Sequence, residues 1–328
     1  MGMTAGALTS ISGRPARAQT ARYTLKCGSD VPRTHPVIIR LHEAAARILD
    51  ETGGQVDLQI FPDNQLGSDT DMLSQLRSGG MELLSMPGVV LATLVPAASL
   101  NAVGFAFADY PTVWKAMDGA LGKYIREQIG KAGLTVMDKI WDNGFRQITT
   151  RSKPINTPDD LRDVKLRVPV SPMLISVFKA LGCASTPINF NELYSALQTH
   201  IVDGQENALT LLELSKLYEV QTYCALTRHV WDGYWLLANR RVWAGLPPEL
   251  SAIVAKHLDQ SAMQQRADNE VLATSLQGEL SRQGLIFNEP DTNAFRNQLR
   301  KAGFYTEWRN KFGEAAWAHL ETTVGQLT

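Results

Sequence analysis

Cysteine is scarce. Cys27, Cys183 and Cys224 are the only three in 328 residues, and they form no C-x-x-C pair. This excludes a disulfide scaffold and a cysteine-held zinc site, and leaves three small residues suited to a core. An excess of either charge is also missing. Lysine and arginine total 32 against 33 acidic residues, a net charge of -1. No basic field draws the chain to a nucleic-acid backbone, so nucleic acid is not expected as a partner. A pocket for one small anion stays compatible, because a pair of arginines vanishes in such a total. The longest apolar stretch, Val89 to Ala108, is interrupted by Pro96 and Asn101, and falls short of the ~20 uninterrupted apolar residues that span a bilayer.

The common signatures of catalysis are absent too. There is no G-x-x-x-x-G-K-[ST] loop and no G-x-G-x-x-G turn between a strand and a helix, so no nucleotide cofactor is expected. His42-Glu43 opens like a zinc-protease helix, but Ala46 stands where the second histidine belongs. No G-x-S-x-G elbow exposes a serine. Asp159-Asp160 reads as helix-start acids facing the positive end of the dipole. No metal, cofactor or enzymatic activity is expected from these absences taken together.

What is present is an ordinary globular composition, 44% hydrophobic and 20% charged, at a length that suggests two lobes. Met1 to Ser10 is mildly apolar, and Ala16 and Ala18 form the A-x-A pattern of a signal-peptidase site. A positive start is missing, so residues 1–21 read as the remnant of an export signal or a leader. After it, strand and helix patterns alternate. Arg22 to Gly28 reads as a strand; Val37, Leu41, Ala44, Ala45 and Ile48 share one helix face; Val56, Leu58 and Ile60 alternate. A helix over Asp69 to Ser78, closed by Gly79-Gly80, and a strand over Met81 to Met86 follow. Such alternation predicts an α/β fold with a mainly parallel sheet. Thr157-Pro158 and Ser171-Pro172 mark two further helix starts. From Pro247 to about Gly284 the pattern predicts one helix of roughly 35 residues, about 50 Å long, which exceeds one lobe and suits a spine bracing both. With no low-complexity linker, the lobes are expected to exchange strands.

Two arginines occupy unusual settings. In Lys165-Leu166-Arg167-Val168-Pro169, alternation puts Arg167 on the face opposite Leu166 and Val168, at the carboxyl end of a strand. Ligands gather at that edge of open α/β sheets. A guanidinium there offers a rigid fork that holds a carboxylate by two hydrogen bonds. An internal ion pair with Asp203 or Glu206 is the competing assignment. Arg146 follows Gly144-Phe145 at another strand, and Asn207 ends the polar run Val202-Asp203-Gly204-Gln205-Glu206-Asn207. That asparagine is equally suited to donating to a carboxylate or to capping the next helix. Phe190 offers an apolar wall or a core side chain. Among Trp231, Tyr234 and Trp235 at least one is expected to line a cavity, and Trp231 is the candidate taken. His35, in a loop of the first lobe, is a candidate contact from the opposite side.

An ordered string of motifs resembles the substrate-binding subunit of tripartite ATP-independent periplasmic (TRAP) transporters, of the dicarboxylate-binding type. It comprises Asn64-Gln65-Leu66-Gly67, Gly144-Phe145-Arg146, Pro154-Ile155 with Thr157-Pro158-Asp159-Asp160-Leu161, Lys165-Leu166-Arg167-Val168-Pro169, Glu192-Leu193-Tyr194 with Ala196-Leu197-Gln198, and Val202 to Asn207. The resemblance runs from about Tyr23 to the C-terminus. It implies a two-lobed periplasmic binding protein fold, with a ligand cleft between the lobes and a long bracing helix. It gives Arg167 the ligand's carboxylate, Arg146 and Asn207 supporting hydrogen bonds, and Phe190 an apolar wall. His200, where glycine is common in that family, and Ala208, where proline often follows the asparagine, depart from the pattern.

The function this implies is capture of a small organic acid in the periplasm and delivery to TRAP membrane permease subunits, by a protein expected to be monomeric. Lobe I is expected over residues 22–144 plus 232–273, and lobe II over residues 145–231 plus 274–328. Two other uses of the same arginine stay open here. One is an enzyme, a lyase or isomerase acting on an organic acid. The other is a sensory module that presents its ligand to a receptor kinase.

Overall fold

The computed structural model describes residues 21–328, so the export-signal reading lies outside the described residues, apart from Ala21. Strands β1 (Tyr23–Ser29), β2 (Val56–Phe61), β3 (Leu83–Pro87), β4 (Leu134–Val136), β5 (Trp141–Thr150), β6 (Leu166–Val168), β7 (Ser185–Pro187), β8 (Gly204–Ala208), β9 (Tyr223–Asn239) and β10 (Ile286–Asn288) form one sheet. Its path runs β2-β1-β3-β9-β5-β8-β6-β7, with β4 and β10 paired to opposite ends of β9.

Parallel pairing holds within each half of the sheet: β1 with β2 and β3, and β6 with β7 and β8. The centre departs from the expectation of a mainly parallel sheet, because β3–β9, β9–β5 and β5–β8 are antiparallel. The chain leaves the β1–β3 half along β5 and returns along the 17-residue β9. Two passes through one joint must run in opposite directions. The result is two α/β lobes that share their central strands.

Those shared strands are kinked at the joint. The β5–β9 register steps between Asp142 and Gly144, and again where residues 226–229 bulge opposite Gln147. Gly144 has φ 112, a conformation that a side chain strongly disfavours. The Gln147 side chain closes the second kink by accepting from Arg228 N at 2.9 Å.

Helices form where apolar spacing and caps agree. Pro36–Glu51 buries Val37, Ile38, Leu41, Ala44 and Ile48. Asp69–Ser78 starts on a Ser68–Asp71 capping box and ends at left-handed Gly79. Pro172–Ala180 is capped by Ser171. The start at Thr157-Pro158 yields only a 3-10 turn, Pro158–Leu161. With β6 beginning at Leu166, the chain has no room there for a longer helix.

The spine is Pro248–Arg282, 35 residues in one helix. Its first part belongs to the β1–β3 half. Leu250, Val254, Leu258 and Ala262 share a core with Leu25, Val37 and Leu41, and Arg40 grips Asp268 through two bonds of 2.6 and 2.8 Å. At the joint the Gln265 amide donates to Asp142 O and accepts from Asp142 N, both at 2.8 Å, as a neighbouring strand would. Further on, Leu280 packs with Leu193, Leu197 and Leu226 in the β6–β8 half. The three cysteines are buried free thiols.

Candidate functional site

The carboxyl ends of β1, β3, β6 and β8 converge on a small cavity between the two halves. It is lined by Asp30, Asp69, Asn143, Arg146, Arg167, Phe190, Asn207 and Tyr234, with Pro87, Val89, Val90, Pro169 and Leu211 as apolar wall. It holds about 270 Å³ of unfilled space. A wider groove with about 1120 Å³ of unfilled space, bordered by Tyr110, Phe145, Arg228 and Glu270, lies next to the kinks, and Asn143 borders both. The smaller cavity is the better candidate because of its arginines.

Arg167, held on β6, is 1% exposed. Its Nε donates to Ile188 O at 2.9 Å, which fixes the plane of the fork. Nη2 is buried without any hydrogen-bond partner. Among the described residues no carboxylate lies within ion-pair distance of this guanidinium. Neither acid named as its internal partner takes that role: Asp203 lies 3.8 Å from Arg151, and Glu206 is bound to Arg146. Burial, helped by nearby Arg146, pulls the pKa of Arg167 down to about 10, while Glu206, Asp69 and Asp30 oppose that shift. It is therefore charged at neutral pH. A buried cation left unpaired costs several kcal/mol, and an arriving carboxylate would remove that cost.

Arg146 is different. Its Nε and Nη2 hold Glu206 at 2.5 and 2.8 Å, Nη2 also donates to Glu206 O at 2.9 Å, and Nη1 reaches Asp232 at 3.2 Å. That leaves one of its five N–H groups. Burial pushes Glu206 up, but the Arg146 guanidinium outweighs it and holds the carboxyl below its ordinary range. Burial wins at Asp232, which rises to about 6. His229 Nε2 lies 3.1 Å from Glu206 and its Nδ1 lies 2.8 Å from the Thr227 hydroxyl, a set satisfied by a neutral ring protonated on Nε2. The pairing of Arg146 with two acids makes it a fixed post beside Arg167.

From the other half, Asp69 opens its helix and accepts from Asn64 Nδ2 at 3.1 Å and Phe190 N at 3.3 Å. With Thr70 to Asn189, also 3.3 Å, the Phe190 contact ties the two halves across the mouth. Asp30, just beyond β1, has a buried Oδ1 with no partner. Burial and the neighbouring Asp69 drive its pKa well above the ordinary value. Asn207 turns its carbonyl to Ala208 N at 3.1 Å, leaving its NH2 end for another partner.

Arg167, Arg146, Asn207 and Phe190 thus meet at one cavity. Trp231 and His35 do not border it. Trp231 is core: it packs edge-on with Phe107 and Trp114 and donates to Asp142 at 2.8 Å. Strand parity explains this. Tyr234 faces the cavity, and Asp232 on the same side of the strand reaches Arg146, so Trp231 and Trp235 face away. His35 caps the helix Pro36–Glu51, its Nδ1 accepting from Val37 N at 3.2 Å, with its ring behind Tyr234. Asp30 and Asp69 escaped the sequence reading because one ends a strand and the other starts a helix, where an acid is commonplace. Parity on β9, anchored by Asp232, is the signal that selects Tyr234.

Residues 27–306 match the family described as bacterial extracellular solute-binding protein, family 7. The chain belongs to that family. Extracellular solute-binding proteins of family 7 act outside the cytoplasmic membrane, and among the described residues no helix is long and apolar enough to cross one. This member is 33% identical over 264 residues to an uncharacterised protein of Sinorhizobium fredii, 79% of this chain but 48% of the relative, so it spans about half of that protein. It is 30% identical over 246 residues to the 2,3-diketo-L-gulonate-binding periplasmic protein of Escherichia coli, 75% of each chain. Among solved structures it resembles a TRAP periplasmic solute binding protein of Sulfurospirillum deleyianum with bound succinate. The TM-score is 0.87 at 26% identity, covering 93% of this chain and 100% of that one. Family and neighbours are solute-binding proteins, not enzymes.

Proposed function

We propose that this protein captures a small organic acid anion in the periplasm by closing its two lobes, and presents it to TRAP membrane permease subunits. The observation that carries this reading is the Arg167 fork: buried, charged, fixed through Nε, and unpaired at Nη2 on a cavity wall. The ligand's carboxylate lies on Arg167, the remaining N–H of Arg146 and the Asn207 amide assist it, and Phe190 supplies an apolar wall. Relatives named for a sugar acid and a structure carrying a dicarboxylate support an organic acid as the cargo. Lobe I comprises residues 22–144 plus 232–273 and lobe II residues 145–231 plus 274–328, and the protein works as a monomer.

Contacts from both lobes make the closed form bind better than the open one, which is what lets a ligand drive closure. Arg167→Ala removes one partner of a desolvated charge pair, a loss of ~2 to 5 kcal/mol. Calorimetry with an acid found by a thermal-shift screen should show affinity falling by about thirtyfold or more. Unchanged affinity in a folded variant removes Arg167 from the site.

A further inference from the structure

A second cluster of cations lies away from the cavity. β3 runs from Leu83 to Pro87, and Pro87 borders the cavity. At the other end of that strand a groove with about 1490 Å³ of unfilled space opens between the helices Asp69–Ser78 and Arg240–Ala244 and the start of β4. Arg77, Arg240 and Arg241 border it, and among the described residues no acidic side chain does. All three arginines are exposed, and among the described residues none lies within ion-pair distance of a carboxylate. Glu82, whose carbonyl accepts from Asn239 N beside the groove, turns its carboxylate to Lys26 N at 2.9 Å. Helix ends account for part of this charge: Arg77 lies in the last turn of Asp69–Ser78, and Arg240 donates one N–H to Gly130 O near the end of Ala120–Lys131. That leaves four N–H groups on Arg240. The Arg241 side chain makes no hydrogen bond among the described residues.

We propose that this groove docks the protein on an anionic phospholipid surface, with its three arginines taking the lipid phosphates. Exposed arginines hold a single free anion weakly, because water screens each pair. A bilayer presents many phosphates in one plane, so the small gains add. Each guanidinium can take a phosphate through two parallel hydrogen bonds. The helix Arg240–Ala244 also puts Val242 on the groove and carries half-buried Trp243 next to it. A tryptophan beside cations suits the headgroup boundary, where one end of the ring is apolar and the other wet. A family that acts outside the cytoplasmic membrane meets such a surface. Groove and cavity lie at opposite ends of β3, about 13 Å apart along the strand, so docking leaves the cleft uncovered.

The test is flotation of the full chain with vesicles of phosphatidylcholine, with and without phosphatidylglycerol. At about fivefold per arginine, the wild type should partition about a hundredfold more strongly onto the vesicles that contain phosphatidylglycerol. Raising the salt to about 1 M, where charge is screened within about 3 Å, should abolish that preference. Arg241→Ala breaks no internal bond and should lose about fivefold, and Arg241→Glu, which reverses the charge, about twenty-fivefold. Arg77→Glu repeats the test from the other wall of the groove, and thermal unfolding checks that each variant is folded. Equal binding to both kinds of vesicle overturns the inference. So does binding to neither; glycerol phosphate, titrated by calorimetry, then tells whether the groove takes a soluble phosphate instead. Unchanged partition of the folded Glu variants places the lipid contact elsewhere and overturns the assignment of this groove. None of these results depends on whether an organic acid binds in the cleft.

Discussion

Burial holds the His35 ring neutral, with a pKa pulled down to about 3. In the unfolded chain a histidine titrates near its ordinary value of about 6.5. Its folded pKa is depressed, so the stability linked to this ring is fully present above about 6.5 and drains away as pH falls toward 3. At pH 5 the loss is about 2 kcal/mol. Asn at this position keeps a cap acceptor for Val37 N but does not titrate. Denaturant unfolding of His35→Asn at pH 7.5 and 5 should therefore show a pH-dependent loss about 2 kcal/mol smaller than in the wild type; an equal loss would place the acid sensitivity elsewhere. The reason His35 looked available in sequence is instructive. A polar loop before a helix reads as exposed, and nothing local reveals that the His35 ring is buried behind Tyr234 while Arg33 and Thr34 stay exposed. Arg167 was legible because a charged residue facing away from two apolar neighbours on a short strand has few places to go. Its freedom from ion pairing was not, since that depended on Arg146 claiming Glu206 from a strand 60 residues earlier.

Individual elements were easier to read than their pairing. Helices over Pro36–Glu51, Asp69–Ser78 and Pro248–Arg282 follow from apolar spacing and end signals within the segment itself. The antiparallel centre of the sheet does not, because it depends on which strands return through the joint. The helix Phe190–Gln198 shows a local conflict. After its cap Thr199, His200 sits in the left-handed region at φ 61, while Ile201 N bonds back to Ala196 O at 3.0 Å. Glycine is the usual residue at such a helix end, since a side chain there costs roughly 1 to 2 kcal/mol. His200→Gly should raise stability by about 1 kcal/mol, less the extra chain entropy glycine loses on folding. Thermal unfolding reads this directly, and a lower melting temperature would mean that the His200 contacts with Arg151 and Leu197 outweigh the strain. Ligand affinity should not move, because His200 is remote from the cavity wall.

At the scale of the whole molecule, the two hydrogen bonds across the mouth and the cavity behind them describe a shut cleft. X-ray scattering should report a smaller radius of gyration at ligand saturation than in dialysed protein; superimposable curves would argue that the lobes do not move. Two lobes were legible from length and from the lack of a linker, and the spine from an unbroken helical pattern. What the spine grips was not legible. Its polar attachments, from His257 on Glu51 to Asn269 on Asp142, all precede Val271, which is 72% exposed. Beyond it the helix is held by Leu280 in the opposite core. Directional bonds resist sliding and apolar packing tolerates it, so the beam behaves as a cantilever rooted near Asn269. A tilt of about 5° at that root carries Arg282, about 20 Å further on, through about 2 Å. The far end of the spine thereby amplifies a small rotation inside the cleft into a displacement legible on the outer surface.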